Sequence, residues 1–376
     1  MKTTALENVA SIQLGKMLSP LAKTGKEAYP YLRNQNVQWN RITLTDLATM
    51  DFSKTERMKF ELRAGDLLVC EGGEPGRCAI WKGELSNCYY QKAIHRVRPI
   101  PGRADSEFLN LWIWFQCFFG ALAKDNSRTT IAHLPLERLK LLPVPDITVA
   151  EQRKIVEKVG PQISLLNQCR VACSTQLTEL TKLGDSIVLA TTKAGKQTSR
   201  KLGDVLNEVC DGVGSGWAKH PVLGATRAGL APARERPGKT PERYKPVLPG
   251  TVFYNPMRIL IGSIAFVDND DKPGITSPDY VALTGKPGEV DSRWFYHWLR
   301  SPLGEQCISS LARGAVRERM LFNRLAEGEI QLPDITVQEK ASKALAEIKP
   351  MRLAATKQML EIDLIPRKIL AHFFES

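Results

Sequence analysis

The chain has 376 residues, of which 43% are hydrophobic and 24% charged, a composition that is typical of globular proteins and excludes wholesale disorder or a fibrous repeat. This length predicts roughly two or three compact domains. The net charge of +12, from 52 Lys and Arg against 40 Asp and Glu, favours a polyanionic partner such as nucleic acid. A basic protein without such a partner has the same composition, so the charge alone leaves both interpretations open.

Cysteines and apolar runs limit the class of protein further. The eight cysteines are dispersed without a Cys-x-x-Cys pair, which argues against a zinc cage or a disulfide-bonded miniature and predicts reduced, mostly buried thiols. The first residues lack the apolar core of a signal peptide, so we expect a cytoplasmic protein. The strongest apolar run, 108–123, is interrupted by Asn110 and Gln116 and is shorter than the roughly 20 residues of a membrane span. It predicts a buried helix.

The first half of the chain places short strands and turns before a long helix. Hydrophobic β-rich runs at 66–70 and 79–81 flank the turn-rich stretch 71–76, which predicts a mixed α/β domain. Thr148, with Glu151 three residues later, forms the capping-box pattern that begins a helix.

The second half repeats this order of elements. β-rich runs at 251–254 and 259–267 precede a second capping-box pattern at Thr336 and Glu339. Short matches between the halves indicate an internal duplication. The matches are 145–152 with 333–340 and Leu14-Gly15 with Leu202-Gly203, 188 residues apart; Asp105-Ser106 with Asp291-Ser292 and Arg138-Leu139 with Arg324-Leu325, 186 apart; and Gly65 with Gly250, 185 apart.

Each predicted helix carries mostly apolar residues in alternating steps of four and three, as in a coiled-coil seam. The seam positions are 159, 163, 166, 170, 173, 177, 180, 184 and 187 in the first helix, and 341, 345, 348, 352, 355, 359, 362, 366, 369 and 373 in the second. Because Arg170, Arg352 and Pro366 interrupt this seam, two separate amphipathic helices remain the alternative. Pro161 and Pro350 predict kinks at matching places.

We therefore predict two tandem mixed α/β (α+β) domains, each followed by a long helix, with the two helices in an antiparallel coiled coil. Such an arrangement relates the copies by a pseudo-twofold axis, which matches the local dyad of duplex DNA. Since the copies differ through their middles, we expect each to bind a different half of a split, asymmetric target. The predicted segments are 1–147, 148–195, 196–335 and 336–376.

Basic and amide side chains in the two middles are the candidate DNA contacts, since these residue types bind phosphates and base edges. A solvated surface without a ligand is the alternative explanation for each group. The candidates in the first copy are Arg33, Asn34, Asn36, Arg41, Arg77, Gln91, Lys92, Asn126 and Arg128, and those in the second are Ser215, Arg227, Arg234, Arg236, Lys239, Arg258, Arg313, Arg317 and Arg319.

No enzyme motif is complete in this sequence. The segment 255–258, Asn-Pro-Met-Arg, lacks the second proline and the aromatic residue with which an amino-methyltransferase holds its target base. The Gly-Lys-Thr at 238–240 lacks the first glycine of a phosphate-binding loop. The five histidines fall in no metal-ligand spacing, and no nucleophile with a base and an orienting group can be assembled.

Three stretches of the chain resemble the specificity subunits of type I restriction-modification enzymes. The stretch 134–156, with Pro-Asp-Ile-Thr-Val-Ala-Glu-Gln-Arg-Lys-Ile-Val at its end, is similar to the conserved region of that family. The stretches 63–69 and 91–99 are similar to its target recognition domain. The second copy departs from the first, because Glu339-Lys340-Ala341-Ser342 stands where the first copy has Glu-Gln-Arg-Lys.

The resemblance implies a non-catalytic subunit that binds double-stranded DNA and docks two adenine-methylating subunits through its helices. Restriction motor-nuclease subunits can join such a complex. S-adenosylmethionine, and ATP with magnesium where a nuclease joins, would then be bound by the partners and none by this chain. A stand-alone DNA-binding or architectural protein and a protein-binding scaffold remain the alternatives. The expected partner contacts are Glu151, Gln152, Arg153, Glu339 and Lys340.

Overall fold

The computed structural model describes residues 2–120, 122, 133–194, 197–233, 235–312 and 319–374. The chain divides into two compact units. Unit 1 comprises residues 1–171 with 360–376, and unit 2 comprises residues 172–359. Each unit therefore contains one mixed α/β domain and part of both long helices, and the predicted fold class is confirmed. The finer segment boundaries predicted above stay a prediction.

Unit 1 begins with a mostly antiparallel α/β domain. Its elements in chain order, ending with the long helix that continues into unit 2, are β1 (Thr3–Ala5), β2 (Ala10–Leu14), β3 (Ala28–Leu32), β4 (Val37–Gln38), β5 (Arg41–Ile42), β6 (Ala48–Asp51), α1 (Lys54–Phe60), β7 (Leu67–Cys70), β8 (Cys78–Ile80), β9 (Tyr89–Tyr90), β10 (Ile94–Pro99), α2 (Ser106–Phe118), α3 (Leu136–Lys140), β11 (Pro143–Pro145) and α4 (Val149–Thr191).

A four-stranded antiparallel sheet, in the order β2-β10-β7-β8, forms the centre of unit 1. Strand β7 is buried on both faces, since Leu67 and Val69 pack with α2 and the long helices while Leu68 and Cys70 pack on the opposite side. This alternation follows from the two-residue period of a strand. The predicted strand at 66–70 is thereby confirmed.

The apolar run at 108–123 forms helix α2 up to Phe118, within which Asn110 and Gln116 are buried. Asp105 caps the helix by accepting hydrogen bonds from the backbone N–H groups of residues 107 and 108. The predicted buried helix is therefore confirmed over its described part.

Unit 2 contains the second α/β domain. Its further elements in chain order, ending with the second long helix, whose last part belongs to unit 1, are β12 (Thr198–Lys201), α5 (Leu202–Val205), β13 (Leu206–Glu208), β14 (Leu223–Thr226), β15 (Gly229–Pro232), β16 (Lys245–Val247), β17 (Val252–Tyr254), β18 (Ile264–Phe266), β19 (Gly274–Thr276), β20 (Val281–Gly285), α6 (Ser292–Arg300), α7 (Pro302–Leu311), α8 (Phe322–Leu325), β21 (Glu329–Leu332) and α9 (Ile335–Phe374).

The two domains share one topology, so the internal duplication is confirmed. The central sheet of unit 2 has the order β13-β20-β17-β18, which repeats β2-β10-β7-β8 element for element. The β1–β11 pair likewise recurs as β12–β21. Gly65 and Gly250 begin equivalent turns with φ of 93° and 91°, a backbone conformation that favours glycine. The smaller strands around each central sheet differ, as the divergent middles predict.

The structure corrects the register of two sequence matches. Leu202 takes the place of Leu6 and not of Leu14, because each donates its N–H to the residue before the last strand, Leu6 to Leu142 and Leu202 to Gly328. Helix α9 begins at Ile335, so Thr336 lies inside the helix and the second predicted capping box is wrong. The helix starts are thus 186 residues apart, the offset that Asp105 and Asp291 also show.

The first capping box is confirmed. The Thr148 hydroxyl accepts from the Glu151 N–H at 3.3 Å, and the Glu151 carboxylate accepts from the N–H and hydroxyl of Thr148 at 2.8 and 2.7 Å. Because these hydrogen bonds favour the ionised carboxylate, they hold the pKa of Glu151 below its ordinary value.

Within each unit the two long helices pack antiparallel along the predicted seam. In unit 1 the buried residues Val159 and Ile163 share a core with Leu370, and Arg170 lies 3.4 Å from Asp363. In unit 2 the equivalent core joins Leu180 and Val188 of α4 to α9, through Ala341, Leu345 and Ile348. The seam prediction is confirmed, and its polar interruptions are paired, since Arg352 donates to the Thr181 hydroxyl at 2.9 Å. Both helices continue through their internal prolines.

Candidate nucleic-acid interface

Three segments meet at one end of the central sheet in unit 1, and we call them the first loop cluster: residues 33–41, 71–77 and 91–93. The N–H of Gln91 donates to the Leu32 carbonyl at 3.1 Å, and the N–H of Glu71 donates to the Ala93 carbonyl at 2.9 Å. The Asn34 side-chain amide donates to the Gly72 carbonyl at 2.8 Å. Seven candidate residues that are far apart in sequence are thus brought together.

The candidates in this cluster differ in accessibility. Arg41 and Lys92 are exposed, and Gln91 is half-buried. Arg33 lies 2.9 Å from the Asp46 carboxylate, and Arg77 donates to the Asn34 carbonyl at 2.8 Å. Arg41 and Lys92 are therefore the side chains of this cluster that are most available to a ligand.

Asn36 supports the loop instead of facing solvent. It is 1% exposed, and its carbonyl oxygen accepts from the Arg33 N–H at 2.9 Å. Its amide donates to the carbonyls of Thr43 and Thr45 at 3.0 and 3.2 Å. The structure corrects the expectation of a base contact from Asn36, because all of its polar atoms are engaged inside the domain.

Gly76 lies in the turn that precedes Arg77. Its φ is 87°, and a Cβ atom there would lie 2.2 Å from Cys117 Sγ. We expect Gly76→Ala to lower the free energy of unfolding of unit 1 by about 2 kcal/mol, from backbone strain and overpacking together. Gly73→Ala is the matched control, because its φ is 75° but the nearest atom would lie at 3.8 Å. Urea denaturation that shows equal losses for the two variants would contradict this account.

Three candidate arginines of unit 2 surround the β17–β18 loop, residues 255–263, which is equivalent to the loop 71–77. Arg258 is exposed on the loop, and exposed Arg227 donates from Nε to the Ile261 carbonyl at 3.2 Å. Arg319 is also exposed, and the neighbouring Met320 N–H donates to the Pro256 carbonyl at 3.2 Å. We call the loop 255–263, together with Arg227 and Arg319, the second loop cluster; the three arginines are its basic side chains.

Arg300, which no sequence pattern singled out, supports this cluster. Its guanidinium donates to the carbonyls of Gly262 and Ile264 at 3.3 and 2.9 Å and to the Arg227 carbonyl at 2.7 Å. No local motif marks this role, because its partners lie 36 to 73 residues away along the chain.

The remaining candidates of unit 2 lie elsewhere or are not described. Ser215, Arg236 and Lys239 are exposed in segments next to Tyr244, whose carbonyl accepts from the Val213 N–H at 2.8 Å. Candidates that lie outside the described residues are Asn126, Arg128, Arg234, Arg313 and Arg317.

Two buried glutamines join the helix starts to the domains with the same geometry. Gln152 accepts from the Asp105 N–H at 2.8 Å and donates to the carbonyls of Arg103 and Ile147, both at 3.1 Å. Gln338 accepts from the Asp291 N–H at 3.0 Å and donates to the carbonyls of Glu289 and Pro333, at 3.1 and 2.8 Å. The two side chains are 2% and 0% exposed.

This geometry corrects one predicted partner contact and reveals a residue that the sequence comparison missed. The side-chain oxygen and nitrogen of Gln152 are hydrogen-bonded inside unit 1, so Gln152 is not available to a partner. Gln338 is its equivalent, which only the 186-residue offset reveals. The second copy therefore keeps the structural glutamine. Glu339-Lys340 seemed to replace Glu151-Gln152 only because the two copies were aligned 188 residues apart instead of 186.

The other predicted partner residues lie on the surface. Glu151, Arg153, Glu339 and Lys340 are exposed, and Arg153 is 3.6 Å from the Asp105 carboxylate. Among the described residues, no group of His, Cys, Asp and Glu is placed to hold a metal ion. The eight cysteines are free thiols and five of them are buried, as predicted. In the described part of the chain, no helix is long and apolar enough to span a membrane.

No family model and no curated protein matches this sequence. Solved structures do match its fold. One is a chain from work on complex assembly and conformational transition of the type I R-M system, with 15% identity, a TM-score of 0.55, and coverage of 98% of this chain and 96% of that chain. This match shows that the two chains share a fold.

Two further solved chains also have 15% identity to this one and cover 98% of it. The type I restriction-modification S subunit from M. genitalium is covered over 94% of its length, with a TM-score of 0.49. The HsdS subunit from Thermoanaerobacter tengcongensis is covered over 95%, with a TM-score of 0.38. At 15% identity these likenesses concern the fold.

Proposed function

We propose that this chain is the DNA-specificity subunit of a type I restriction-modification complex and acts in the cytoplasm without chemistry of its own. In this proposal, unit 1 and unit 2 each bind one half of an asymmetric, bipartite target. The observation that carries the proposal is that two domains with the same central sheet present different loops from the same sheet end. A duplicated scaffold with divergent loops is suited to binding two different half-sites on one duplex.

We further propose that two adenine-methylating subunits dock on the long helices, near the exposed residues Glu151, Arg153, Glu339 and Lys340. S-adenosylmethionine would be bound by those subunits, which place the methyl group while this chain selects the sequence. Restriction motor-nuclease subunits, with their ATP and magnesium, would join the same assembly. The chain's own contribution is to position its loops on DNA.

Methylome sequencing of cells that carry this chain with its methylating partner tests the proposal. We expect adenine methylation in a split target with an unread spacer, and no methylation when either protein is expressed alone. Methylation by the purified chain would overturn the proposal. Function without any partner would favour the stand-alone DNA-binding alternative, and salt-insensitive, sequence-independent behaviour in binding assays would favour the scaffold.

The arginines of the second loop cluster should contribute to the salt dependence of DNA binding. Each phosphate contact removed makes the negative slope of log K against log salt concentration shallower by about 0.9. We therefore expect the triple change of Arg227, Arg258 and Arg319 to alanine to reduce the magnitude of this slope by about 2.7, measured by fluorescence anisotropy with the target duplex. Lys343→Ala, an exposed position on α9, is the control that should leave the slope unchanged. An unaltered slope in the triple variant would place the phosphate contacts elsewhere.

A further inference from the structure

An apolar patch lies at the tip of the second loop cluster. Met257, Leu260 and Ile261 are 51%, 57% and 55% exposed. Between them, Ile259 is 3% exposed and packs into the core of unit 2. The turn is thus anchored by one side chain while its neighbours remain open to solvent. Contiguous exposed apolar side chains of this kind often mark a contact surface.

The backbone under this patch is held by hydrogen bonds. The Arg258 carbonyl accepts from the N–H groups of Ile261 and Ser263 at 3.2 and 3.1 Å. The Ser263 hydroxyl donates to the Ala225 carbonyl at 2.7 Å, and Arg300 holds the carbonyl of Gly262. Because the loop is ordered before a ligand arrives, binding costs less conformational entropy.

The charges around the patch favour a polyanion over an apolar protein surface. The exposed arginines at 227, 258 and 319 come from three separate segments and border the apolar side chains. An apolar patch inside an arginine frame is complementary to a groove lined by phosphates. On such a groove the apolar side chains would face the edges of the bases, which lie between the phosphates.

The equivalent loop of unit 1 has a different chemistry. Residues 71–77 are Glu-Gly-Gly-Glu-Pro-Gly-Arg and include no large apolar side chain. The second loop therefore offers a ligand an apolar surface that the first loop lacks. Leu and Ile side chains have no polar group, and the thioether of Met is only a weak acceptor, so these side chains are poorly suited to pair with a base-edge donor or acceptor. On the major-groove edges of the bases, the apolar group is the C5 methyl of thymine.

Resting on the proposed function, we infer that Met257, Leu260 and Ile261 recognise thymine methyl groups in the major groove of the half-site bound by unit 2. Leu260, the most exposed of the three, is the central contact. Unit 2 would thus discriminate thymine by apolar contact, and unit 1 would use polar side chains.

Uracil substitution tests this inference, because it removes the methyl group and leaves base pairing unchanged. The target and its half-sites are first defined by methylome sequencing. The complex of the full chain with its methylating subunits is then titrated with duplexes in which each thymine of either half-site is replaced by uracil in turn. We expect about fourfold weaker binding for at least one replacement in the unit 2 half-site, the effect of about one buried methyl group.

Two leucine variants assign the effect to the loop. In Leu260→Ala, the difference between thymine and uracil at that position should fall to below twofold. Leu248→Ala removes a leucine of similar exposure, 55%, away from the loop, and should retain the fourfold difference. A double-variant comparison of this kind isolates the coupling between one side chain and one methyl group.

The outcomes separate this inference from the proposed function. A bipartite methylated target whose binding is insensitive to every uracil replacement in the unit 2 half-site overturns the inference alone. The same holds if Leu260→Ala keeps the full thymine–uracil difference or weakens assembly with the methylating subunits without changing base preference. Absence of any bipartite target would instead overturn the proposed function.

Discussion

Replacing Gln152 by alanine should lower the free energy of unfolding of unit 1 by about 3 kcal/mol. The substitution removes three hydrogen bonds and leaves the partly buried Asp105 N–H and two carbonyls without their partner. Unsatisfied buried polar groups cost about 1 to 3 kcal/mol each, and partial rehydration reduces their sum. The equivalent Gln338→Ala should have a similar effect on unit 2, because its hydrogen bonds are the same.

Hydrogen exchange measured by mass spectrometry resolves the two units and checks this expectation. Gln152→Ala should raise exchange at the Asp105 amide and at the start of α4. Gln162→Ala is the matched control on the same helix, since Gln162 is exposed and its side-chain amide donates to the Lys158 carbonyl of its own helix. It should cost less than about 0.5 kcal/mol. If Gln152→Ala and Gln162→Ala had equal effects on exchange and stability, the hydrogen bonds of Gln152 between α4 and the domain would contribute nothing to the stability of unit 1.

Asp268→Asn should destabilise unit 2 by about 3 kcal/mol, because it removes one charge from a buried ion network. Asp268 is 7% exposed and pairs with the Arg293 guanidinium, which also donates to the Ser342 hydroxyl at 3.2 Å. Lys349 lies 3.9 Å from the same carboxylate and 2.9 Å from that of Asp271. The network ties the end of β18 to α6 and to α9, and so holds the second domain on its helix.

The effect of Asp268→Asn should depend on pH. Burial raises the pKa of Asp268. Hydrogen bonds from Arg293 and the Asn269 N–H, together with the charges of Arg293 and Lys349, lower this pKa by more than burial raises it, so the pKa of Asp268 lies below its ordinary value of 3.8. A lowered folded-state pKa means that the contribution is complete above 3.8 and is lost as the pH falls through the folded value. Urea denaturation at pH 7 and pH 3 should therefore show a smaller difference from wild type at pH 3.

Asp270→Asn is the control for this network. Asp270 also pairs with Lys349, but its side chain is 71% exposed, and exposed ion pairs contribute at most about 1 kcal/mol. If the two asparagine variants lose the same stability at pH 7, the burial of Asp268 has no energetic consequence and this account of the network is wrong.

The first capping box and the helix seams were predicted correctly because they depend on neighbouring residues, whereas the second capping box was wrong because Thr336 lies inside its helix. The Thr148 cap involves residues within three positions of each other. The long-helix seams depend on a period of three and four residues that is visible in the chain itself. The match of Asp105-Ser106 with Asp291-Ser292 gave the correct offset because both pairs begin equivalent helices.

The candidate contacts could be predicted only as residue types. Arg77 and Asn36 resemble Arg41 in sequence as candidates for DNA contact, yet the fold engages the first two inside unit 1 and leaves Arg41 exposed. Which polar side chain stays free depends on carbonyls and carboxylates that approach from distant parts of the chain. No local pattern contains that information.

The sequence by itself determined that this protein is a duplication, with two mixed α/β domains and two long amphipathic helices, because repeats, caps and periodicity are local properties. The tertiary structure decided the true register of the repeat and the roles of Gln152 and Gln338. Each glutamine meets a backbone N–H 47 residues away, and only folding brings those atoms within 3 Å. The contrast between the polar loop at 71–77 and the apolar patch at 257–261 was equally hidden, because the equivalence of those loops follows from strand pairing.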